Sequence, residues 1–443
     1  MSPAKLYLPA PAQHHVERTS VDELLDRAAS RRICVVIGAA GWGKTTAVAA
    51  WSRGRPTAWL PYEDHDGDAV RLLAALLRAL QPHISVPALG LDTVADDIPQ
   101  RGSSAAAICL WLHSALSEDL VLVLEDLHGL QPDSDATRVV EDLCRRAPDR
   151  LHLVLISRRE LPFSVQRLRG HGLVAEIHAP DLAFDVADVE TLLSKTVGND
   201  PPGLARRVWE HTGGWATAVH CAVEMLRTVQ ADERLGAVGR LSQSGERFHD
   251  YLAEEVIGVA PKWVQQLLRR LAIYGEVRSP LEVERGLNDP TTVLAELSRQ
   301  GLVRRSGGDS TGWLLAHPLR EYFEHGAAAP SATERKALHT ATATKCIGRG
   351  APADALRHLL AAGNHAACAA LLVDHGVVMV QSGELDAVLE AAELPAEYLD
   401  DPRIQRVLGQ AQQVRGQWVQ ALQHFQRAGR DRDELEPALS WRV

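Results

Sequence analysis

The chain has 443 residues, which suggests about three domains, and its 46% hydrophobic and 23% charged residues suit sizeable buried cores rather than a wholly disordered protein. Its 57 acidic residues outnumber its 47 lysines and arginines, and the net charge of −10 argues against a main surface that binds nucleic-acid phosphates non-specifically. The sequence has no apolar run of about 18 residues, no signal-peptide core and no CxxC pair among its six cysteines, so we expect a cytoplasmic protein with reduced thiols and no membrane partner.

The first 180 residues alternate short β-branched apolar runs with helical patterns. We predict helices over 44–51 and 68–80 and a loop over 82–104. Alternating strands and helices are typical of a parallel sheet covered on both faces. The predicted strands are Ile33–Ile37, Thr57–Leu60, Leu120–Leu124, Leu151–Ile156 and Leu173–Ile177.

Strand patterns nearly vanish after residue 180. Asp185 is expected to start a helix, and Gly213-Gly214 separates further helices that reach about residue 230. Residues 246–325 are mostly helical, and Gly301–Arg305 and Gly312–Ala316 predict two short strands around a turn. Helices followed by such a hairpin indicate a winged-helix unit.

The last third of the chain has an internal repeat. Gly350, Gly383 and Gly416 each stand five residues before a small-apolar pair of the Ala-Leu or Val-Leu type, at intervals of 33 residues. This period is close to the 34 residues of tetratricopeptide repeats. Because solenoids need a polar terminal cap, which is not evident before Val443, we expect the chain to be a fragment of a longer protein.

A phosphate-binding loop follows the first predicted strand. Glycines allow the backbone to cradle phosphate oxygens at a helix N-terminus, Lys44 would neutralise the β- and γ-phosphates, and the Thr45 hydroxyl would bind Mg²⁺. The segment that fits GxxxxGK[ST] is Gly38-Ala39-Ala40-Gly41-Trp42-Gly43-Lys44-Thr45-Thr46.

Two acidic residues, Glu125 and Asp126, end the third predicted strand and form a Walker B element. We expect Glu125 to hold Mg²⁺ and Asp126 to polarise the attacking water, with slow hydrolysis because Asp is short. Arg158, after the fourth strand, is either a contact of the γ-phosphate or a solvated charge.

Together these motifs resemble STAND ATPases of the maltose-regulon activator (MalT) type, a family also found as large LuxR-type regulators. The resemblance runs through nearly the whole chain, in the family's order. The segments that carry it are GAAGWGKTT, VLVLEDLH, LVLISRRELPF, DLAFDVADVETLL, HTGGWATAVHCAVEML, LLAHPLREYF and RHLLAAGNHAACAALLVDHGVVMVQSGELDAVL.

The resemblance implies a transcription-regulating switch in which ADP locks a closed monomer. ATP together with a small-molecule or protein inducer on the helical repeats would open the protein and permit self-association. It implies that His317 touches the ADP β-phosphate and that Arg18 lies in a segment lining the adenine pocket. The cofactors implied are ATP or ADP and Mg²⁺.

The expected fold is an α/β P-loop NTPase domain, then an all-α helical lid, a winged-helix domain and α-helical TPR-like repeats. The boundaries are 1–20 for the adenine-pocket segment, 21–180 for the nucleotide-binding domain, 181–245 for the lid, 246–330 for the winged helix and 331–443 for the repeats. Unlike family members, the chain shows no LuxR-type helix-turn-helix, so DNA contact is expected only through a module beyond residue 443 or a partner.

Two other functions remain open. One is an ATPase that binds DNA directly through residues 246–325, with Arg304 and Arg305 against phosphates. The other is a signalling or defence scaffold that recruits an effector and never binds DNA.

Overall fold

The computed structural model describes residues 8–10, 14–62, 69–84, 104–198, 201–238, 246–277, 290–306, 312–325 and 329–429. The chain divides into two compact units. The first comprises 1–266, 291–307 and 313–327, and the second comprises 267–290, 308–312 and 328–443. The finer five-part division expected from the sequence stays a prediction.

A five-stranded parallel sheet forms the centre of the first unit, with the strand order β2-β3-β4-β1-β5. All five predicted strands are confirmed to within one residue at each end. Their bounds are β1 (Ile33–Ile37), β2 (Thr57–Pro61), β3 (Leu120–Glu125), β4 (Leu151–Ser157) and β5 (Val174–His178).

Both faces of this sheet are buried, as its apolar strands predict. Side chains along β1 alternate between two cores: Val35 packs into one core, whereas Cys34 and Val36 pack into the other. Because the strands are parallel, the carboxyl ends of β1, β3 and β4 lie at the same edge of the sheet. Open α/β sheets bind their ligands at this edge.

Eleven helices are described in the first 257 residues of the chain. The predicted helix over 44–51 is confirmed, and the helix expected over 68–80 is described from residue 69. They are α1 (Thr19–Ala29), α2 (Lys44–Trp51), α3 (Ala69–Leu80), α4 (Ser104–Ala115), α5 (Asp135–Arg146), α6 (Gln166–Gly170), α7 (Val186–Thr196), α8 (Leu204–Thr212), α9 (Ala216–Leu226), α10 (Arg234–Val238) and α11 (Glu246–Tyr251), which continues as a π-helical segment, Leu252–Ile257.

Short 3₁₀ turns complete this part of the chain at Gln81–His83, Leu127–Gly129 and Ala179–Leu182. The loop predicted over 82–104 falls mostly on residues 85–103, which lie outside the described residues. Helix α4 begins at Ser104, where the predicted loop ends. The sequence pattern did not predict this helix, because its first residues, Ser-Ala-Ala-Ala, show no clear helical period of apolar residues.

Residues 181–238, called the lid below, fall within the predicted lid domain, and their helices α7, α8, α9 and α10 pack around a shared apolar core. Asp185 caps α7 as expected, accepting a hydrogen bond from the amide of Asp188. Gly214 has a φ of +74°, and a side chain there would collide with the main chain of Phe184. The glycine pair thus lets the turn between α8 and α9 lie directly against residue 184.

The region from 262 to 325 contains the predicted hairpin. Its elements are α12 (Lys262–Tyr274), β6 (Glu276–Val277), α13 (Pro290–Arg299), β7 (Val303–Arg305), β8 (Trp313–Leu315) and α14 (His317–His325). Strands β7 and β8 pair in antiparallel fashion, which confirms the two strands, and Arg305 stacks on the Trp313 ring at 4.4 Å. Their membership of a winged-helix domain stays a prediction.

In the second unit, residues 332–428 are mainly helical. Gly350, Gly383 and Gly416 have φ values of +73°, +82° and +80°, and each stands two residues before a helix. The 33-residue period therefore marks left-handed turns between helices, while the TPR-like nature of the array stays a prediction. The helices are α15 (Ala332–Gly348), α16 (Pro352–Ala361), α17 (His365–Gln381), α18 (Leu385–Glu390), α19 (Ala396–Leu399), α20 (Pro402–Val414) and α21 (Trp418–Ala428), with a 3₁₀ turn at Ala391–Glu393.

None of the helices in the described part of the chain is both long and apolar enough to cross a bilayer. All six cysteines are free thiols in the structure.

Candidate functional site

The phosphate loop connects β1 to α2. Gly41 and Gly43 both have a φ of +80°, a backbone conformation that strains any other residue. The Gly41 carbonyl accepts hydrogen bonds from the Thr217 amide at 3.0 Å and from the Thr217 hydroxyl at 3.2 Å. A side chain at Gly41 would also lie 2.7 Å from the Tyr251 hydroxyl. The loop is thus held open for phosphate on one side and tied to the lid helix α9 on the other.

Lys44 is the first residue of α2, and its ammonium group is buried in the loop. Nζ donates to the carbonyl of Ala39 at 2.9 Å. Burial, together with the charge of nearby Arg158, lowers the pKa of Lys44 to about 8, although Asp126 and Glu125 act in the opposite direction. A phosphate group beside Lys44 would supply the anion that this buried cation needs.

Thr45 and Glu125 are brought together by the packing of α2 against the end of β3. The Thr45 hydroxyl donates a short hydrogen bond to one carboxylate oxygen of Glu125, and the Trp59 indole N–H donates to the other at 3.0 Å. Burial raises the pKa of Glu125, while the two hydrogen bonds lower it. Trp59, on the neighbouring strand β2, therefore fixes the orientation of the predicted Mg²⁺ ligand.

Asp126 follows in a left-handed conformation with a φ of +60°, which Asp tolerates better than most residues. Its side chain is half exposed, and it lies 3.7 Å from Nδ1 of His128. Thr45, Glu125 and Asp126 offer only oxygen atoms to a cation, which fits the preference of Mg²⁺ for hard oxygen ligands.

A cavity of about 440 Å³ opens above the phosphate loop. This volume is within the range of small-molecule and cofactor sites. Of the predicted residues, those that line it are Ala40, Gly41, Gly43, Lys44, Thr45, Thr46, Asp126, Arg158 and Arg18. Gly38, Ala39, Trp42, Glu125 and His317 are not among its lining residues.

The amino-terminal segment closes one side of the cavity. Val16 is buried there, and the Arg18 guanidinium stacks on the Phe184 ring at 4.6 Å. Arg18 also donates hydrogen bonds to the Asp188 carboxylate and to the carbonyls of Leu182 and Ala183. Its guanidinium thus anchors this segment to the lid, so that Val16 and Phe184 present apolar surface to the cavity.

Arg158 lies at the end of β4 and lines the cavity. Its guanidinium donates to the Glu255 carboxylate at 3.1 Å and to the Glu255 carbonyl at 3.3 Å. Arg158 therefore stands beside the phosphate loop but is paired with an acidic residue of the π-helical segment. The predicted contact with the γ-phosphate stays a prediction.

Trp42 lies on the outer side of the loop. Its ring stacks on Trp215 with centroids 5.0 Å apart, and a side chain at Gly301 would collide with the ring. The Trp215 indole N–H donates to the Ala40 carbonyl at 3.2 Å, and the Ala39 amide donates to the Gln300 carbonyl at 2.9 Å. The loop is thereby joined to the lid and to the segment before β7.

His317 begins α14, where its imidazole faces His211 and Glu321 rather than the cavity. Burial lowers its pKa. His317 does not line the described cavity, and its predicted contact with the ADP β-phosphate stays a prediction.

Sequence reasoning missed several lining residues: Phe184, Thr217, His220, Tyr251 and Glu255. Phe184, Thr217 and His220 stand inside segments that carried the family resemblance, so the resemblance could have indicated them as site residues. Tyr251 and Glu255 stand in no motif. A second cavity, of about 380 Å³, lies against residues 160–166 and includes none of the predicted site residues.

The chain is similar to known ATPase domains and transcriptional regulators. Residues 16–156 match the AAA ATPase domain family. The MalT transcriptional regulator of Cronobacter sakazakii is 26% identical over 434 residues, which are 95% of this chain and 47% of that protein. The chain is thus similar to MalT-type regulators over nearly its whole length, and it carries a region that matches an AAA ATPase domain. The MalT regulator of Serratia proteamaculans is 27% identical over 97% of this chain and 48% of its own length.

The chain spans about half the length of the curated relatives that it matches. Among solved structures, a Walker-type ATPase of Pyrococcus abyssi has a TM-score of 0.48 at 13% identity, covering 71% of this chain and 97% of that one. A STAND protein with a tetratricopeptide repeat sensor from Pyrococcus horikoshii has a TM-score of 0.38 at 14% identity, covering 98% and 61%.

Proposed function

We propose that the chain is the nucleotide-controlled part of a transcriptional regulator, which holds ATP or ADP with Mg²⁺ and changes its assembly with the nucleotide state. The observation that carries this proposal is the cavity of about 440 Å³, which has the phosphate loop on one wall and the lid on another. A ligand that fills it contacts both walls at once.

The adenine ring would lie against Val16 and Phe184, and the phosphates would lie against the loop amides and Lys44. Thr45 and Glu125 would hold Mg²⁺, which when bound neutralises the charge of the phosphates. Trp59 keeps the Glu125 carboxylate turned towards Thr45. Asp126 would orient water for hydrolysis, which we expect to be slow because its short side chain is half exposed.

The switch itself would use contacts that differ between nucleotide states. Arg158 is paired with Glu255 here, and it would exchange that partner for the γ-phosphate of ATP. His317 would reach the β-phosphate only in a second arrangement bound to ADP, since in this structure it faces His211 and Glu321. We propose that an inducer on the helical repeats favours the ATP arrangement and self-association, and that DNA contact comes from a further module or a partner.

The test is the nucleotide carried by the purified protein, released by denaturation and separated by ion-pair chromatography. We expect close to one equivalent of ADP in the wild type and almost none in Lys44→Ala. Lys336→Ala is the matched control, because Lys336 is an exposed residue of α15 and does not line the cavity. A wild-type protein that carries no nucleotide and binds no added ATP would contradict the proposal.

A further inference from the structure

Two histidines and a glutamate from two helices of the first unit bring their side chains together outside the nucleotide cavity. His211 stands near the end of α8, whereas His317 and Glu321 are one turn apart on α14. Nδ1 of His211 lies 3.3 Å from Oε1 of Glu321, and Nδ1 of His317 lies 3.6 Å from the same oxygen. One ligand atom from each residue lies within 4.8 Å of the other two.

The separations of the three ligand atoms are also compatible with a shared cation. The 3.3 Å between Nδ1 of His211 and Oε1 of Glu321 is a long hydrogen bond, whereas the 3.6 Å between Nδ1 of His317 and the same oxygen is beyond hydrogen-bond distance. In a tetrahedral zinc site, Zn–N and Zn–O bonds of about 2.0–2.2 Å place neighbouring ligand atoms about 3.4 Å apart. The measured 3.3 Å and 3.6 Å bracket that value.

The surroundings of the cluster also suit a bound ion. Nδ1 of His317 is buried and makes no hydrogen bond within the described part of the chain. Because buried polar atoms normally have a hydrogen-bond partner or a bound ion, this nitrogen is available as a metal ligand. The Glu321 and His211 side chains are 17% and 22% exposed, whereas that of His317 is 36% exposed. The cluster is therefore sheltered, yet open enough for an ion to enter and for water to complete its ligands.

We propose that His211, His317 and Glu321 form a binding site for a divalent transition metal of the zinc type, with water as the fourth ligand. Two imidazoles and one carboxylate are an established donor set for zinc with an open position. Because the ligands come from α8 and α14, the ion would tie the lid to the helix that follows the β7–β8 hairpin.

The probe for this site is Co²⁺ alone, which reports tetrahedral coordination through its visible absorption, followed by displacement with Zn²⁺. Untagged wild-type chain, stripped with a chelator, is titrated with CoCl₂. We expect about one equivalent to bind with tetrahedral bands that Zn²⁺ abolishes. His317→Ala and Glu321→Gln should each weaken binding by at least about tenfold, since even outer-shell changes at metal sites have effects of that size.

Two controls separate this site from other causes. His375→Ala removes an exposed histidine from a repeat helix and should bind Co²⁺ like the wild type. Lys44→Ala should also keep the metal, because none of the three ligands lines the nucleotide cavity, so failure of the nucleotide proposal leaves this test intact. Circular dichroism confirms that each variant is folded. Octahedral weak bands, no binding by the wild type, or equal binding by His317→Ala would overturn the proposal.

Discussion

Lys44 is a cation held where burial disfavours its charge, and this makes nucleotide affinity depend on pH. The lowered pKa of about 8 means that near pH 8 the free protein carries Lys44 about half protonated. Phosphate beside Nζ favours the charged form and raises the pKa again. Bound nucleotide therefore requires a proton that the free protein has partly lost above pH 8.

We accordingly expect the dissociation constant of ADP with Mg²⁺ to change little between pH 6.5 and 7.5 and to rise between pH 8 and pH 9.5, approaching tenfold per pH unit. Calorimetry at pH 8 in two buffers with different ionisation enthalpies should show proton uptake on binding. An affinity that stays constant from pH 7 to pH 9.5, without proton uptake, would contradict the role of Lys44.

Trp59 provides a second prediction at the scale of a residue. Trp59→Phe keeps a buried aromatic ring at this position, although a smaller one, and removes the indole N–H that donates to Glu125 at 3.0 Å. Without that bond the carboxylate is less fixed, and we expect Mg²⁺-dependent nucleotide affinity to fall by roughly tenfold, the effect of one hydrogen bond to a charged group. Nucleotide affinity measured in excess chelator should not change.

The matched control is Trp111→Phe, since the Trp111 indole N–H has no hydrogen-bond partner within the described residues. If both variants lose the same affinity, or if Trp59→Phe weakens binding equally without Mg²⁺, then Trp59 does not act through the metal ligand.

Among elements, the strands and the phosphate loop were the most predictable features. Each apolar strand and the glycine spacing after β1 are local patterns, so the sequence alone located them. The pairing of Arg158 with Glu255 and the approach of Tyr251 to Gly41 join segments many residues apart. No local pattern encodes such contacts, because they depend on how the lid and the π-helical segment pack against the sheet.

The contact between the phosphate loop and the segment before β7 leads to a prediction about how these two elements affect nucleotide binding. Trp42 is stacked on Trp215 and lies directly against Gly301, whose φ is +78°. Gly301→Ala places a methyl group against the Trp42 ring and adds about 1–3 kcal/mol of backbone strain. We expect this variant to displace Trp42, to shift the indole fluorescence towards longer wavelength and to weaken ADP binding severalfold.

Gly275→Ala is the control for strain alone. Gly275 also has a positive φ, of +75°, but nothing lies within 4 Å of a side chain placed there. That variant should lose stability without a change in nucleotide affinity. Equal ADP affinities of Gly301→Ala and the wild type would show that the segment before β7 does not affect nucleotide binding by the phosphate loop.

At the scale of the whole molecule, the nucleotide cavity is assembled from segments that lie far apart in the chain. Its lining residues include His15, Val16, Ala40, Gly41, Gly43–Ala47, Ala216, Thr217, His220, Tyr251 and Glu255. The sequence predicted the loop and the amino-terminal segment, but the lid side chains complete the cavity only through the fold. A ligand that occupies this space must bridge the sheet and the lid, and hydrogen exchange can detect such bridging.

We therefore expect ADP with Mg²⁺ to slow amide exchange in three separate regions: 38–47, 213–220 and 248–255. A ligand at 100 times its dissociation constant stabilises the protein that binds it by about 2.7 kcal/mol, which is ample for detection wherever amides exchange through openings that release the ligand. Peptides from α17 serve as an internal reference, because no cavity residue belongs to that helix. Lys44→Ala should show no protection in any region. Protection confined to 38–47 would mean that the nucleotide contacts the phosphate loop alone, and the lid would then have no part in holding it.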